Sequence, residues 1–220
     1  MDRRVFVFSI TAAALPASHA LSQADAASGV RAALERGAVA AVGLLGRENG
    51  FLNDARVRIP LPEVLEDAAK LLKATGQRRR VDELVTSMNR AAERAVPMAR
   101  GLLVEAARRI GVDDAIRIVR GSTTSVTEYF AAQTREPLGV KFLPLVEESM
   151  KKVSLATRYN AFASKAVGFG LLKKEDANLE QYITGKALDG LFLMIGEEEK
   201  KIRADPVRTG SRLLQAVFGR

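Results

Sequence analysis

The stretch from Lys186 to Arg203, Lys-Ala-Leu-Asp-Gly-Leu-Phe-Leu-Met-Ile-Gly-Glu-Glu-Glu-Lys-Lys-Ile-Arg, constrains the fold more than any other. At about 100° per residue, Leu188, Leu191, Phe192, Ile195 and Ile202 fall on one side of a helix. Lys186, Asp189, Glu197 and Lys200 group on the opposite side. Leu193 and Met194 carry the apolar surface well round the cylinder, as a helix needs when it packs on more than one neighbour. Glu199 falls among the apolar positions. Such a segment reads as the central helix of a core, and the rest of the chain has to supply what surrounds it.

The other periodic segments are helical too. Ser22, with Asp25 three residues on, is a helix cap, and the stripe Val30, Leu34, Gly37, Ala41, Leu44 carries that helix to about Leu45. So many small residues on the buried side imply close helix contact. A helix over residues 62–74 begins at Pro62 and stops before Gly76. The longest pattern runs from about Arg80 to Ile110, through Val81, Leu84, Val85, Met88, Ala92, Ala95, Val96, Ala99, Leu102, Leu103 and Ala106. Pro97 interrupts it on the polar side, which predicts a kinked helix, with two helices joined at Val96 as the competing view.

Asp113 and Asp114 cap a short helix ending at Gly121, and Ser122-Thr123-Thr124-Ser125 caps one carrying Val126, Tyr129 and Phe130. Glu136-Pro137 reads as the opening of a further helix, bent at Pro144. Ser154 starts another, with the stripe Leu155, Tyr159, Phe162, Ala166 and Phe169, ended at Gly168-Phe169-Gly170. After the central helix, Asp205-Pro206 is a stop and Thr209 to Phe218 a last short helix. Nowhere does matched two-residue alternation mark a strand, and aromatic content is only 5% with no Trp, against a rich supply of Ala and Leu. The fold class is therefore all-α: an irregular multi-helix bundle around a central C-terminal helix, with no sheet.

Between the first two helices, residues 46–62 lose periodicity. Phe51, Leu52, Val57 and Ile59 are the residues that would anchor so long a connector to the core; a binding lip is the alternative.

The first twenty residues differ in kind. Arg3 and Arg4 precede an apolar run from Val5 to Ala17, and Ser18-His19-Ala20 places small residues at minus three and minus one from a cut after Ala20. Residues 1–20 read as a secretory signal peptide, and Arg3-Arg4-Val5-Phe6-Val7 resembles the twin-arginine export signal, although Asp2 replaces the usual Ser or Thr. Residues 21–220 form a single helical domain, for which 47% hydrophobic content is ample core material. Removal of Asp2, Arg3 and Arg4 lowers the net charge from +8 to about +7. A basic surface outside the cytoplasm meets anionic lipid or acidic envelope proteins, and nucleic acid is not the expected partner. No later stretch reaches the roughly 18 apolar residues of a membrane span.

Composition removes whole classes of chemistry. The chain has no Cys, and its single His, His19, lies in the leader. A mature chain without either cannot form a Ser-His-Asp triad, a Cys-His pair or an ordinary zinc site, nor be acylated on a cysteine. Neither catalytic residues nor cofactor or metal ligands are assigned. Glu197, Glu198 and Glu199 diverge by about 100° each, so they do not converge on one ion. Ser164-Lys165 points apart for the same reason, and no Gly-x-Ser-x-Gly elbow exists.

The candidate binding or buried polar cluster is Asn89, Arg90 and Glu199. A carboxylate among Leu188, Phe192 and Ile195 needs a partner or it costs several kcal/mol, and Arg90 or Lys165 could provide one. Asn89, Arg90 and Glu93 read as a surface ion-pair set, or else as a polar seam between lobes.

Ile59-Pro60-Leu61-Pro62, Ser87-Met88-Asn89-Arg90-Ala91-Ala92-Glu93 with Pro97 following, Lys141-Phe142-Leu143-Pro144, Arg158-Tyr159-Asn160 and Lys186-Ala187-Leu188-Asp189-Gly190-Leu191-Phe192 resemble the exported bacterial proteins grouped as domain of unknown function 4197 (DUF4197). The resemblance runs from about Leu21 to Gly219 and implies a periplasmic or envelope-associated helical protein, with no activity, cofactor or site to carry over. The leading expectation is a non-catalytic binding or protein-interaction module of the periplasm. A carrier of a lipid or other apolar small molecule is the alternative, and a hydrolase lacking His and Cys is the third.

Overall fold

The computed structural model of the chain describes residues 21–76, 78–113, 115–151 and 178–219. Their order is α1 (Gln23–Leu45), α2 (Glu63–Ala74), α3 (Arg78–Met98), α4 (Arg100–Arg109), α5 (Ala115–Val119), α6 (Ser125–Met150), α7 (Leu179–Ala204), a 3-10 turn at Val207–Thr209 and α8 (Arg212–Phe218). No strand occurs among the described residues, and the fold is all-α. The leader, the expected helix from Ser154 to Gly170 and the Arg158-Tyr159-Asn160 motif lie outside them.

The centre is α7, as its sequence demands. It packs along α1 on one side and α6 on the other, and α1 in turn meets α4, α5 and α8. Leu188, Leu191, Phe192, Ile195 and Ile202 are buried, as are Ala187, Gly190, Met194 and Gly196 on neighbouring faces. Leu193 is the exception at 39% exposure. Phe192 meets the edge of Phe130 from α6, ring centres 5.8 Å apart and planes at 76°, a favoured aromatic arrangement.

Two glycines make room for side chains packed against the helix backbone. A methyl group on Gly29 of α1 would lie 2.6 Å from Val217 of α8, and one on Gly190 of α7 would lie 2.8 Å from the Phe51 ring. The α1 stripe faces inward through Val30, Leu34, Gly37 and Ala41, but ends on Leu45 and not on Leu44, which is 37% exposed.

The 80–110 pattern is not broken at Pro97, which lies on the exposed side as expected, nor are two helices joined at Val96: α3 runs through Pro97 to Met98, and a one-residue turn at Ala99, itself in the right-handed helical region, separates it from α4. The Ala99 N–H is shared between the carbonyls of Ala95 (3.2 Å) and Val96 (3.1 Å), a three-centre bond common at helix ends. Glu136-Pro137 opens no helix, because α6 is continuous through both Pro137 and Pro144. The two prolines are seven residues apart on the same exposed face, where water can satisfy the carbonyls they strand.

Candidate functional site

The connector over residues 46–62 is pinned to the core. Phe51 and Ile59 are fully buried and Val57 nearly so. The polar groups that hold it come from α3. Asn89 Oδ1 accepts the Ile59 N–H at 2.9 Å, while its Nδ2 donates to Ile59 O at 2.9 Å and to Val85 O at 2.8 Å. Its carboxamide thus pairs with the connector as a neighbouring peptide would. One turn on, Glu93 Oε1 accepts the N–H groups of Phe51 (3.1 Å) and Leu52 (3.2 Å). Arg90 donates to the other Glu93 oxygen at 2.5 Å, to Asn49 Oδ1 at 2.9 Å and to Glu48 Oε1 at 3.1 Å. Asn49 takes a left-handed backbone, φ 64°, a conformation Asn tolerates better than most residues.

The surface reading of Asn89 and Glu93 is therefore corrected: both are buried, at 0% and 3% exposure. A wheel centred on the apolar stripe places them at its edge, but the connector covers that edge. The sequence signal was the row Val85, Asn89, Glu93, Val96, polar in the middle and apolar at both ends.

Glu199 is buried at 2% exposure, and its partners belong to different elements. Its Oε1 accepts the N–H of Val126 at 3.1 Å, and Oε2 accepts the N–H of Thr127 at 2.8 Å and the Thr127 hydroxyl at 2.7 Å. Those are the second and third residues of α6, the two N–H groups that a helix-capping side chain ordinarily takes. Thr124 stands at the cap position and makes no such bond, giving its hydroxyl to Glu128 at 2.7 Å instead. The cap of α6 is thus not the Ser-Thr-Thr-Ser run but a carboxylate from α7.

The counterion is Arg203, one turn along α7. Its Nε donates to Glu199 Oε1 at 2.9 Å, Nη1 to Val119 O at 2.6 Å, and Nη2 to Ser125 Oγ at 2.9 Å. A negative group thus sits at the start of α6 and a positive one at the end of α5, each at the helix end it favours. The guanidinium also stacks on Phe218, 5.0 Å from the ring centre. Arg90 is not part of this network, and Lys165 lies outside the described residues. Asn89 and Arg90 are together, and Glu199 forms a second, separate cluster. The i,i+4 spacing of Glu199 and Arg203 was visible in the sequence and is the signal that identifies the pair.

Among the described residues, no buried side-chain nitrogen or oxygen lacks a hydrogen-bond partner. Both clusters are spent on holding backbone. Beside Arg203 a cavity of about 460 Å³ opens between α8 and the turn that joins α5 to α6, lined in part by Val119, Arg120 and Phe218.

A family model described as protein of unknown function (DUF4197) matches residues 20–219. No curated protein and no solved structure matches the chain.

Proposed function

We propose, from the premise that the chain belongs to the DUF4197 family, that it is an exported protein of the bacterial envelope acting by binding and not by catalysis. The observation that carries this reading is the commitment of the buried polar groups. Among the described residues Glu93, Asn89 and Glu199 are buried groups with chemistry to offer, and each is engaged with main-chain groups it holds in place. A general acid or nucleophile needs a free lone pair or proton facing a substrate, and these face helix ends and a connector.

Residues 1–20 act as the export leader in this reading, and the periplasm is the destination. Among the described residues no helix is long and apolar enough to cross a membrane. The basic charge favours an acidic envelope protein or an anionic lipid surface as partner.

Crosslinking in intact cells tests the proposal. A photoreactive residue at Val140, 71% exposed on α6, or at Met98, 55% exposed at the end of α3, is expected to trap an envelope component, with a yield that falls as salt rises. Recovery of the chain in the cytoplasm, or turnover of ester or glycoside substrates by the purified protein, would refute it.

A further inference from the structure

The cavity beside Arg203 is lined by both apolar and polar groups. Leu21, Val119, Val217 and Phe218 give it aliphatic and aromatic surface, Ser122 and Thr123 add hydroxyl-bearing side chains, and Arg120 and Arg203 are its charged residues. Its volume, about 460 Å³, lies in the range of small-molecule sites, roughly 300–1,000 Å³.

The two arginines contribute differently. Arg203 is largely covered, its side chain 16% exposed, and Glu199 balances its charge at 2.8 Å. Nη1 carries two hydrogens and donates one, to Val119 O, so a further N–H remains to the same guanidinium at the cavity wall. Arg120 is exposed and makes no ion pair among the described residues. Among the described residues no carboxylate lines the cavity, and within that set the charge of Arg120 is not offset there.

A cavity that combines the aliphatic and aromatic surface of Leu21, Val119, Val217 and Phe218 with the guanidinium of Arg120 suits a molecule with an aliphatic chain and a negative end. The guanidinium fork matches a carboxylate or a phosphate monoester.

We propose that the cavity between α8 and the α5–α6 turn binds a single-chain anionic amphiphile, with its head group on Arg120 and Arg203 and its tail against Val119, Val217 and Phe218. This ligand site goes beyond the envelope-interaction reading and stands whether or not a protein partner is found. Because Arg203 also holds Glu199 and the end of α5, a bound head group would join the network that fixes the start of α6.

Calorimetric titration of the purified protein with decanoate, decyl phosphate and decanol, each below its aggregation limit, tests the site. At least one of the two anions is expected to bind one-to-one and at least about tenfold more tightly than decanol, and the tighter one identifies the head group. Arg120→Ala, at an exposed position away from the buried network, is expected to weaken that anion at least about fivefold without changing the melting temperature. Equal affinity for decanol, no binding of either anion, or full affinity in Arg120→Ala would overturn the proposal. Failure of crosslinking to trap an envelope component would leave the titration result unaffected, so the two readings fail separately.

Discussion

Glu199 on α7 accepts the backbone N–H of Thr127 on α6 at 2.8 Å, across 72 residues of sequence. A helix start that the local Ser-Thr-Thr-Ser run leaves uncapped is thereby completed from the central helix. The same carboxylate takes the N–H of Val126, the Thr127 hydroxyl and Arg203 Nε, so loss of one side chain strands four donors.

Glu199→Gln keeps the shape and one acceptor but sets an amide nitrogen against those donors. The variant is expected to lose about 2–3 kcal/mol of stability, within the range for hydrogen bonds to charged groups and buried pairs. Urea unfolding monitored by circular dichroism measures this. A change below about 0.5 kcal/mol, the range of ordinary surface substitutions, would mean that the carboxylate does not cap α6.

Asn89→Asp is nearly isosteric and removes only the donor that meets Ile59 O and Val85 O. The carboxylate would face two carbonyl oxygens, at a cost of about 1–3 kcal/mol. Hydrogen exchange at the connector amides of Phe51, Leu52 and Ile59 should accelerate more than exchange in the middle of α7. Uniform acceleration along the chain would show that Asn89 supports global stability and does not specifically hold the connector.

The glycines separate into two groups with opposite expected responses to alanine. Nothing lies within 4 Å of a methyl group built on Gly43 or Gly185, both helical, so Gly43→Ala and Gly185→Ala should each stabilise by about 0.5–1 kcal/mol. Gly29→Ala and Gly190→Ala must displace Val217 and Phe51, at about 1–3 kcal/mol each. Thermal melts of the four variants decide it, and the same sign in both groups would contradict the packing.

Three acidic side chains are held below their ordinary pKa by hydrogen bonds from basic neighbours: Glu35 by Arg108, Asp54 by Arg56 and Glu197 by Lys200, with Arg56 adding its charge to the last. A depressed carboxylate pKa contributes stability above the unfolded value, and that contribution is lost as pH falls through the folded one. The melting temperature should decline gently from about pH 5 downwards, gently because these pairs are exposed. The triple variant Glu35→Gln, Asp54→Asn, Glu197→Gln should show a shallower acid limb than the parent protein. An equal or steeper limb would place the acid sensitivity elsewhere.

The all-α class and the Ser22 to Leu45 span of the first helix, cap included, were legible in the amino-acid order. So were the centrality of the Lys186–Arg203 stretch and the anchoring of the connector by Phe51, Val57 and Ile59. These depend on periodicity and local capping, which act within a few residues. The continuity of α6 through Pro137 was not legible, because a helix accommodates an internal proline where the carbonyl it strands meets water. That depends on which face the fold leaves open, and the outer face at Pro137 and Pro144 is open.

Apart from the i,i+4 pair Glu199–Arg203, the membership of the two polar clusters was decided by the tertiary structure. Sequence placed Glu199 on an apolar face and required a partner for it, which fixed that a network had to exist. It could not join Glu199 to Val126 and Thr127, nor Asn89 to Ile59, since a buried polar group takes whichever donor or acceptor packing brings within about 3 Å. Residue order set the helices and the need for satisfaction, and long-range packing chose the partners.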